Sequence, residues 1–455
     1  MIHALTTKQS IARNKMTDKK KILMLCDHPL VPSGVGTQAR YLIEGLLATK
    51  KYSFVVLGGA VKHPDYRPQK VSHEVYGDDW IIHPVDGYGD KNKMREMLAN
   101  EKPDAILLFT DPRFFVWVWE MEDEIRSQCP ILYWHVWDND PTPVFNRPFY
   151  DSTDFISALS LKTFGLLQDM KLKNVNYIPH SVSPQFFHPI SEDEVTKFKK
   201  ENFGPHADKK FVVFWNNRNA RRKMTGDVMA SFAKFLNKTG KNNSVLVMHT
   251  LVSDPEGQNI VEVAKQLDIE RNLIISEGRV NPDVLNGFYN SADCTINIAN
   301  NEGFGLSTLE SLMSGTPIVV QMTGGLQFQI GDWWESLNDF SDQERLFTVA
   351  RNKYSSNKGM WFGVPVFPAV RSCTGSQPVP YIYDDRVSHE DVVKGLTKLF
   401  EMGRQKRREI GLNASIWARR VFNQDSMIAS WDKTMFEQIK NFKETTKQSF
   451  RLESI

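Results

Sequence analysis

Glu302-Gly-Phe-Gly-Leu-Ser-Thr-Leu-Glu310 decides the fold, because two carboxylates bracket a glycine-interrupted turn that opens a helix. The turn follows Cys294-Thr-Ile-Asn-Ile-Ala299, a short apolar run rich in β-branched residues that reads as a strand. The helix it opens runs on from Leu306 until Gly315 and Pro317 stop it. A loop from strand end to helix start is an anion site. Its free backbone N–H groups and the positive end of the helix dipole face any phosphate placed there, and Gly303 and Gly305 let that phosphate come close. Ser307-Thr-Leu-Glu310 also reads as a capping box, in which Glu310 would serve only the helix's own first N–H groups.

The full stretch from Asn301 to Val320, followed by Gly324-Gly325-Leu326, resembles the signature of the retaining glycosyltransferases of family 4, with their Glu-x7-Glu motif. The resemblance implies the α/β architecture called GT-B: two facing Rossmann-like domains with parallel sheets and a C-terminal helix crossing back to the first domain. It continues upstream, where Phe211-Val-Val-Phe-Trp-Asn216 reads as a buried strand followed by Arg218 and Lys223, five apart, and a helix from about Asp227 to Asn237. In the family an Arg and a Lys at this spacing hold the diphosphate of a nucleotide-sugar, whose negative charge grows in the transition state. Arg221 and Arg222 stand beside them, so a solvated basic loop is the competing reading. Met224 stands where the family usually has Gly after the Lys.

The amino-terminal half supplies matching pieces. Lys21-Ile-Leu-Met-Leu-Cys26 reads as a strand, and Pro32-Ser-Gly-Val-Gly-Thr37 as a tight loop, with Gly34 and Gly36, before a helix whose Ala39, Leu42, Ile43, Leu46 and Leu47 recur at helical spacing. This resembles the family's loop that meets the donor phosphate from the opposite domain. Ile131-Leu-Tyr-Trp-His135 ends in a histidine, and the family carries a His at the corresponding strand end, reaching toward the transferred sugar. A packed histidine is the plain alternative. His180-Ser-Val-Ser183 departs from the Asn-Gly-Val-Asp usual at the close of the first domain, and Phe328 replaces a usual Glu.

The resemblance therefore implies a retaining, metal-independent hexosyltransferase that moves a hexose from a UDP- or GDP-type nucleotide-sugar to a glycan, lipid-linked or small-molecule acceptor, without a cofactor. Glu302, His135, Arg218 and Lys223 are its expected catalytic residues. Gly34, Gly36, Gly303, Phe304, Gly305, Leu306 and Glu310 are its expected donor-binding residues. A catalytically idle scaffold or sugar-binding subunit, or a transferase acting on a nucleic-acid acceptor, are the alternatives. Asp138-Asn-Asp140 forms a DxD triplet, a divalent-metal motif of the other large glycosyltransferase fold, but Arg218 and Lys223 already offer a metal-free way to hold the leaving group.

Composition agrees. At 455 residues the chain exceeds one ordinary core and fits two domains. The expected plan is a basic flexible tail over 1–20, an acceptor domain over 21–185 completed by a helix near 425–445, and a nucleotide-sugar domain over 205–424, with a hinge in 183–210. Residues 1–21 carry six Lys and Arg against one Asp, a net of +5 that leaves −3 for the rest of a chain whose total is +2. The body thus lacks the charge of a nucleic-acid binder, while the tail reads as a solvated disordered segment, with a weak membrane or polyanion tether as the alternative. No run approaches the roughly 18 apolar residues of a membrane span, and no signal-peptide core is seen, so a cytoplasmic location is expected, with peripheral membrane contact through the tail as the alternative. Cys26, Cys129, Cys294 and Cys373 have no metal-ligand spacing and read as buried free thiols. Residues 331–385 fall outside the resemblance; their Trp333, Trp334, Trp361 and Phe362 read as core aromatics, with an acceptor surface as the alternative.

Overall fold

Strand runs that are apolar at every position, rather than alternating, demand a sheet covered on both faces, and the chain builds two of them. The computed structural model describes residues 19–204 and 209–448; residues 1–18 of the expected tail and 205–208 of the expected hinge lie outside the described residues. The first sheet comprises β1 (Lys20–Asp27), β2 (Tyr52–Gly59), β3 (Gln69–Lys70), β4 (Trp80–Pro84), β5 (Ala105–Thr110), β6 (Ile131–His135), β7 (Phe155–Ala158) and β8 (Val175–Tyr177), in the order β3-β4-β2-β1-β5-β6-β7-β8. Only the β3–β4 pairing is antiparallel. Its central strand shows the two-sided burial directly: Ile22, Met24 and Cys26 enter one apolar cluster, Leu23 and Leu25 the other.

The second sheet comprises β9 (Phe211–Asn216), β10 (Ser244–His249), β11 (Leu273–Ser276), β12 (Cys294–Asn297), β13 (Ile318–Gln321) and β14 (Gly363–Val366), in the order β11-β10-β9-β12-β13-β14, all parallel. A two-stranded antiparallel hairpin, β15 (Val370–Thr374) with β16 (Ile382–Arg386), follows it. In both large sheets the chain winds outward in one direction and then returns to start on the other side. The reversal falls between β1 and β5 in the first sheet and between β9 and β12 in the second. Crevices for ligands open where strand order reverses, beyond the carboxyl ends of the strands. The loops after β9 and β12 are those that carry Lys223 and Glu302.

The helix Gly34–Ala48 buries Ala39, Leu42, Ile43, Leu46 and Leu47, the stripe its periodicity predicts. The last helix, Gln424–Gln448, leaves the second domain and lies on the first: Met427, Trp431, Met435 and Ile439 are buried, Trp431 meets Trp134, and the Tyr52 hydroxyl donates to Asp432 Oδ1 at 2.8 Å. A four-residue spacing keeps those four side chains on one face.

Trp333 is fully buried against Phe328, as the core reading of that segment expects. The alternation of apolar runs and helical stretches predicts strands near 22–26, 54–58, 104–109, 131–137, 155–158, 175–178, 211–215, 245–250, 273–276, 294–299 and 317–321; β3, β4, β14, β15 and β16 have no counterpart among them. One expectation is corrected: Cys26, Cys129 and Cys294 are buried free thiols, but Cys373 is exposed on the hairpin.

Candidate functional site

β12 ends at Asn297, and the helix Leu306–Met313 begins after Gly305, whose φ of 94° is accessible to glycine at little strain. A Cβ there would also lie 2.4 Å from Leu326 Cδ2. No side chain caps this helix. Ser307 and Glu310 both lie inside it, so the capping-box reading does not hold. Glu310 instead accepts a hydrogen bond from the Tyr289 hydroxyl at 2.6 Å, and that hydroxyl accepts one from Asn216 Nδ2 at 2.8 Å. Burial pushes the Glu310 carboxyl up to about 7, against the Tyr289 hydrogen bond.

Glu302 is held by two cations from the loop after β9. Lys223 Nζ donates to Glu302 Oε2, and Arg222 Nη1 donates to the same oxygen at 3.2 Å and to the Asn301 carbonyl at 3.1 Å. Burial raises the Glu302 carboxyl, but Lys223 and then Arg222 outweigh it, leaving the group ionised and below the ordinary glutamate value. The local turn explains the reach of both cations, for Arg221–Lys223 form one 3-10 turn closed by Met224 in the left-handed region at φ 56°. Here the second cation differs from the expectation. Arg218 turns away, its Nε donating to Asp254 Oδ2 at 2.7 Å with Glu256 beyond, and its side chain is 57 % exposed. Arg222, which the resemblance leaves without a role and the competing reading places in a solvated loop, stands beside Glu302 instead. The family spacing pointed to Arg218; the only local signal for Arg222 was its place next to Lys223.

The first domain closes on this turn. A Cβ at Gly34 would lie 3.4 Å from Leu306 Cδ1, and one at Gly303 would lie 3.0 Å from Asp138 Oδ1. Gly36 sits deeper, 2.8 Å from the His28 carbonyl by the same measure, with its N–H donating to the Ser33 cap. Tyr41, on the same helix, is pushed up to about 12 by burial and then by the Glu310 charge. His135 is fully buried, its Nε2 2.7 Å from the Tyr150 hydroxyl, and its ring neighbours Tyr133, Trp137 and Tyr150 all belong to the first domain. The histidine that meets the Glu302 turn is His180. Its ring lies 5.1 Å from Phe304, its Nδ1 has no hydrogen-bond partner among the described residues, and burial pushes it down to about 3. The departure of residues 180–183 from the family pattern was the available signal.

Within the DxD triplet, Asp140 is taken up by Lys162 at 2.5 Å and Arg371 at 2.9 Å, and Asn139 is buried. Asp138 stays at the cleft, where its charge acts on Arg222 and Lys223. Among the described residues no group of three or more His, Cys, Asp or Glu side chains is arranged to hold a metal.

The two facing parallel sheets make up the two-domain GT-B architecture. Residues 196–344 match the family model described as glycosyl transferases group 1. The alpha-monoglucosyldiacylglycerol synthase of Streptococcus pneumoniae is 27% identical over 188 residues, 41% of each chain. The mannosylfructose-phosphate synthase of Agrobacterium fabrum is 27% identical over 184 residues, 39% of each. The matched segment thus spans about two fifths of these curated relatives. Among solved structures, sucrose-phosphate synthase from Thermosynechococcus elongatus superposes with a TM-score of 0.66 at 14% identity, covering 93% of this chain and 100% of that one. Anabaena Alr3699/HepE in complex with UDP and glucose gives 0.64 at 13%, covering 92% and 99%. No helix among the described residues is long and apolar enough to cross a membrane.

Proposed function

We propose that the chain is a retaining glycosyltransferase that moves a hexose from a UDP- or GDP-type sugar to a glycan, lipid-linked or small-molecule acceptor bound mainly by the first domain. The observation that carries this is the Lys223–Glu302–Arg222 cluster at the start of an uncapped helix, beside the strand-order reversal of the second sheet. In this reading Lys223 and Arg222 release Glu302 and take the diphosphate, where fixed positive charge acts on the growing charge of the leaving group. Glu302 then binds the sugar with the free N–H groups of residues 303–306, and Glu310 holds the ribose hydroxyls beside Tyr289. The names of the two curated relatives support a lipid or a phosphorylated sugar as acceptor class.

Calorimetric titration with UDP and GDP tests the donor site. Wild type should bind one of them, and Lys223→Ala should bind it at least tenfold more weakly. Equal affinity in the two proteins would remove the cluster from the donor site.

One observation favours a second reading, a sugar-nucleotide-binding subunit without transfer: His135, the expected residue over the sugar, makes its contacts within its own domain. Donor binding without any donor turnover across a panel of acceptors is the outcome that reading predicts.

A further inference from the structure

The hairpin β15–β16 lies in the segment that the family resemblance does not reach, and it crosses to the first domain. We propose that this hairpin is a reversible clasp that shuts the two domains on each other and, when shut, positions Glu302. The second part rests on the functional reading above; the first does not.

The clasp is polar at its centre. Arg371 Nη2 donates to Asp140 Oδ2 at 2.9 Å, the Tyr383 N–H donates to the Asp140 carbonyl at 2.7 Å, and Asn139 Nδ2 donates to Asp385 Oδ2 at 2.8 Å. From the other side Lys162 Nζ donates to the Ser341 carbonyl at 2.7 Å. The helix Leu161–Asp169 comes so near that a Cβ at Gly165 would lie 2.4 Å from the Phe340 carbonyl carbon. Around this centre is a small apolar rim, in which Phe145 meets Tyr381 edge-on at 4.9 Å and Val379 joins Trp137 and Leu166.

The charges argue for reversibility. Lys162 is 1 % and Asp140 9 % exposed at the side chain, and both belong to the first domain; Arg371 at 20 % and Asp385 at 0 % belong to the second. Each domain therefore carries its own ion pair, Lys162 with Asp140 and Arg371 Nε with Asp385 at 2.7 Å. Separation exposes two pairs that are already neutralised, so opening strands no bare charge, whereas a core of equal size made from apolar side chains would resist opening.

The same hairpin holds the residues in front of Glu302. The Asp385 N–H donates to the Asn300 carbonyl at 2.8 Å, and Asn301 Nδ2 donates to Asp384 Oδ1 at 2.8 Å. Asp385 also accepts from Thr323 at 2.7 Å, tying in the loop where a Cβ at Gly324 would lie 2.2 Å from the Glu302 carbonyl oxygen and 2.3 Å from that of Asp138. Shutting the clasp thus sets the Glu302 turn against the first domain, and Asp384 and Asp385 are positioning residues.

The test compares wild type with Arg371→Met, Arg371→Lys and Asn139→Ala, each checked for a cooperative melt. Small-angle scattering reads the radius of gyration, and hydrogen exchange reads residues 138–141 and 300–303. Arg371→Met should give a larger radius and at least tenfold faster exchange in both segments, with Arg371→Lys between it and wild type. In a transfer assay kcat should fall at least tenfold while the affinity for nucleotide stays within about threefold. If Arg371→Met does not melt cooperatively, Asn139→Ala, which removes no charge but loses the cross-domain hydrogen bonds from Asn139 Nδ2 to Asp385 Oδ2 and to the Tyr383 carbonyl at 2.9 Å, carries the same expectation at smaller amplitude. An unchanged radius and unchanged exchange in the folded variants overturn the clasp. A change in both with no transfer by wild type leaves the clasp standing and removes the functional reading instead.

Discussion

At the scale of single residues, the site turns on which cations face Glu302. Arg222 and Lys223 do, and Arg218 does not. Replacing Lys223 or Arg222 by Ala should slow transfer about a hundredfold or more, as for other fixed charge-stabilising groups. Arg218→Ala, which breaks an exposed ion pair, should change the rate less than about fivefold. The reverse ranking in steady-state rates would restore the family spacing as the better guide. Glu310 allows a test by pH. Its carboxyl is raised in the folded protein to about 7, so the stability it contributes is fully present below the unfolded value near 4.5 and is lost as pH rises toward 7. Glu310→Gln should therefore gain on wild type in melting temperature between about pH 4.5 and 7. Parallel melting curves across that range would show that the carboxyl is not desolvated. Asp140 is engaged by Lys162 and Arg371, so transfer should persist in excess chelator; loss that manganese restores would bring the metal reading back.

At the scale of elements, the Glu302 turn depends on a glycine that starts a helix. Gly305→Ala would place a Cβ against Leu326 and force a residue with a side chain to φ 94°, which should cost about 1–3 kcal/mol and lower nucleotide affinity together with the melting temperature. Unchanged urea midpoints would show that the turn relaxes freely. Elements of this kind were legible because their signals are local. Unbroken apolar runs such as Phe211–Asn216 can only be doubly covered strands, and a glycine turn before an amphipathic run marks the strand-to-helix corner. β4 and β14 were not legible. Trp80-Ile-Ile-His-Pro84 is five residues long and ends in proline, and Gly363-Val-Pro-Val366 is four residues long with a proline inside, so neither carries a strong strand pattern in the sequence. The partners of Arg222, His135 and Asp140 were beyond local reading for a different reason. Each is fixed by a contact from a distant element, and spacing along the chain does not encode it.

At the scale of the molecule, the two sheets are joined on one side by the returning helix Gln424–Gln448 and on the other by the hairpin. The helix buries Met427, Trp431, Met435 and Ile439 on the first domain, at about 1.5–3 kcal/mol for each side chain. That sum rivals the whole stability of a typical domain, so a chain ending at residue 423 should not fold its first domain cooperatively; a native near-ultraviolet spectrum from that truncation would contradict the role given to the helix. Two-domain parallel architecture and the place of the crevice follow from strand order alone, while the choice of donor and acceptor rests on the few side chains that line it. The most direct measurement of the central claim is proton NMR of the intact chain with a panel of α-linked UDP- and GDP-hexoses, following nucleoside diphosphate release and the anomeric signal of the first product. The account predicts release from at least one donor, with the α anomer appearing first. Release from none of them, or a β anomer appearing first, would contradict it.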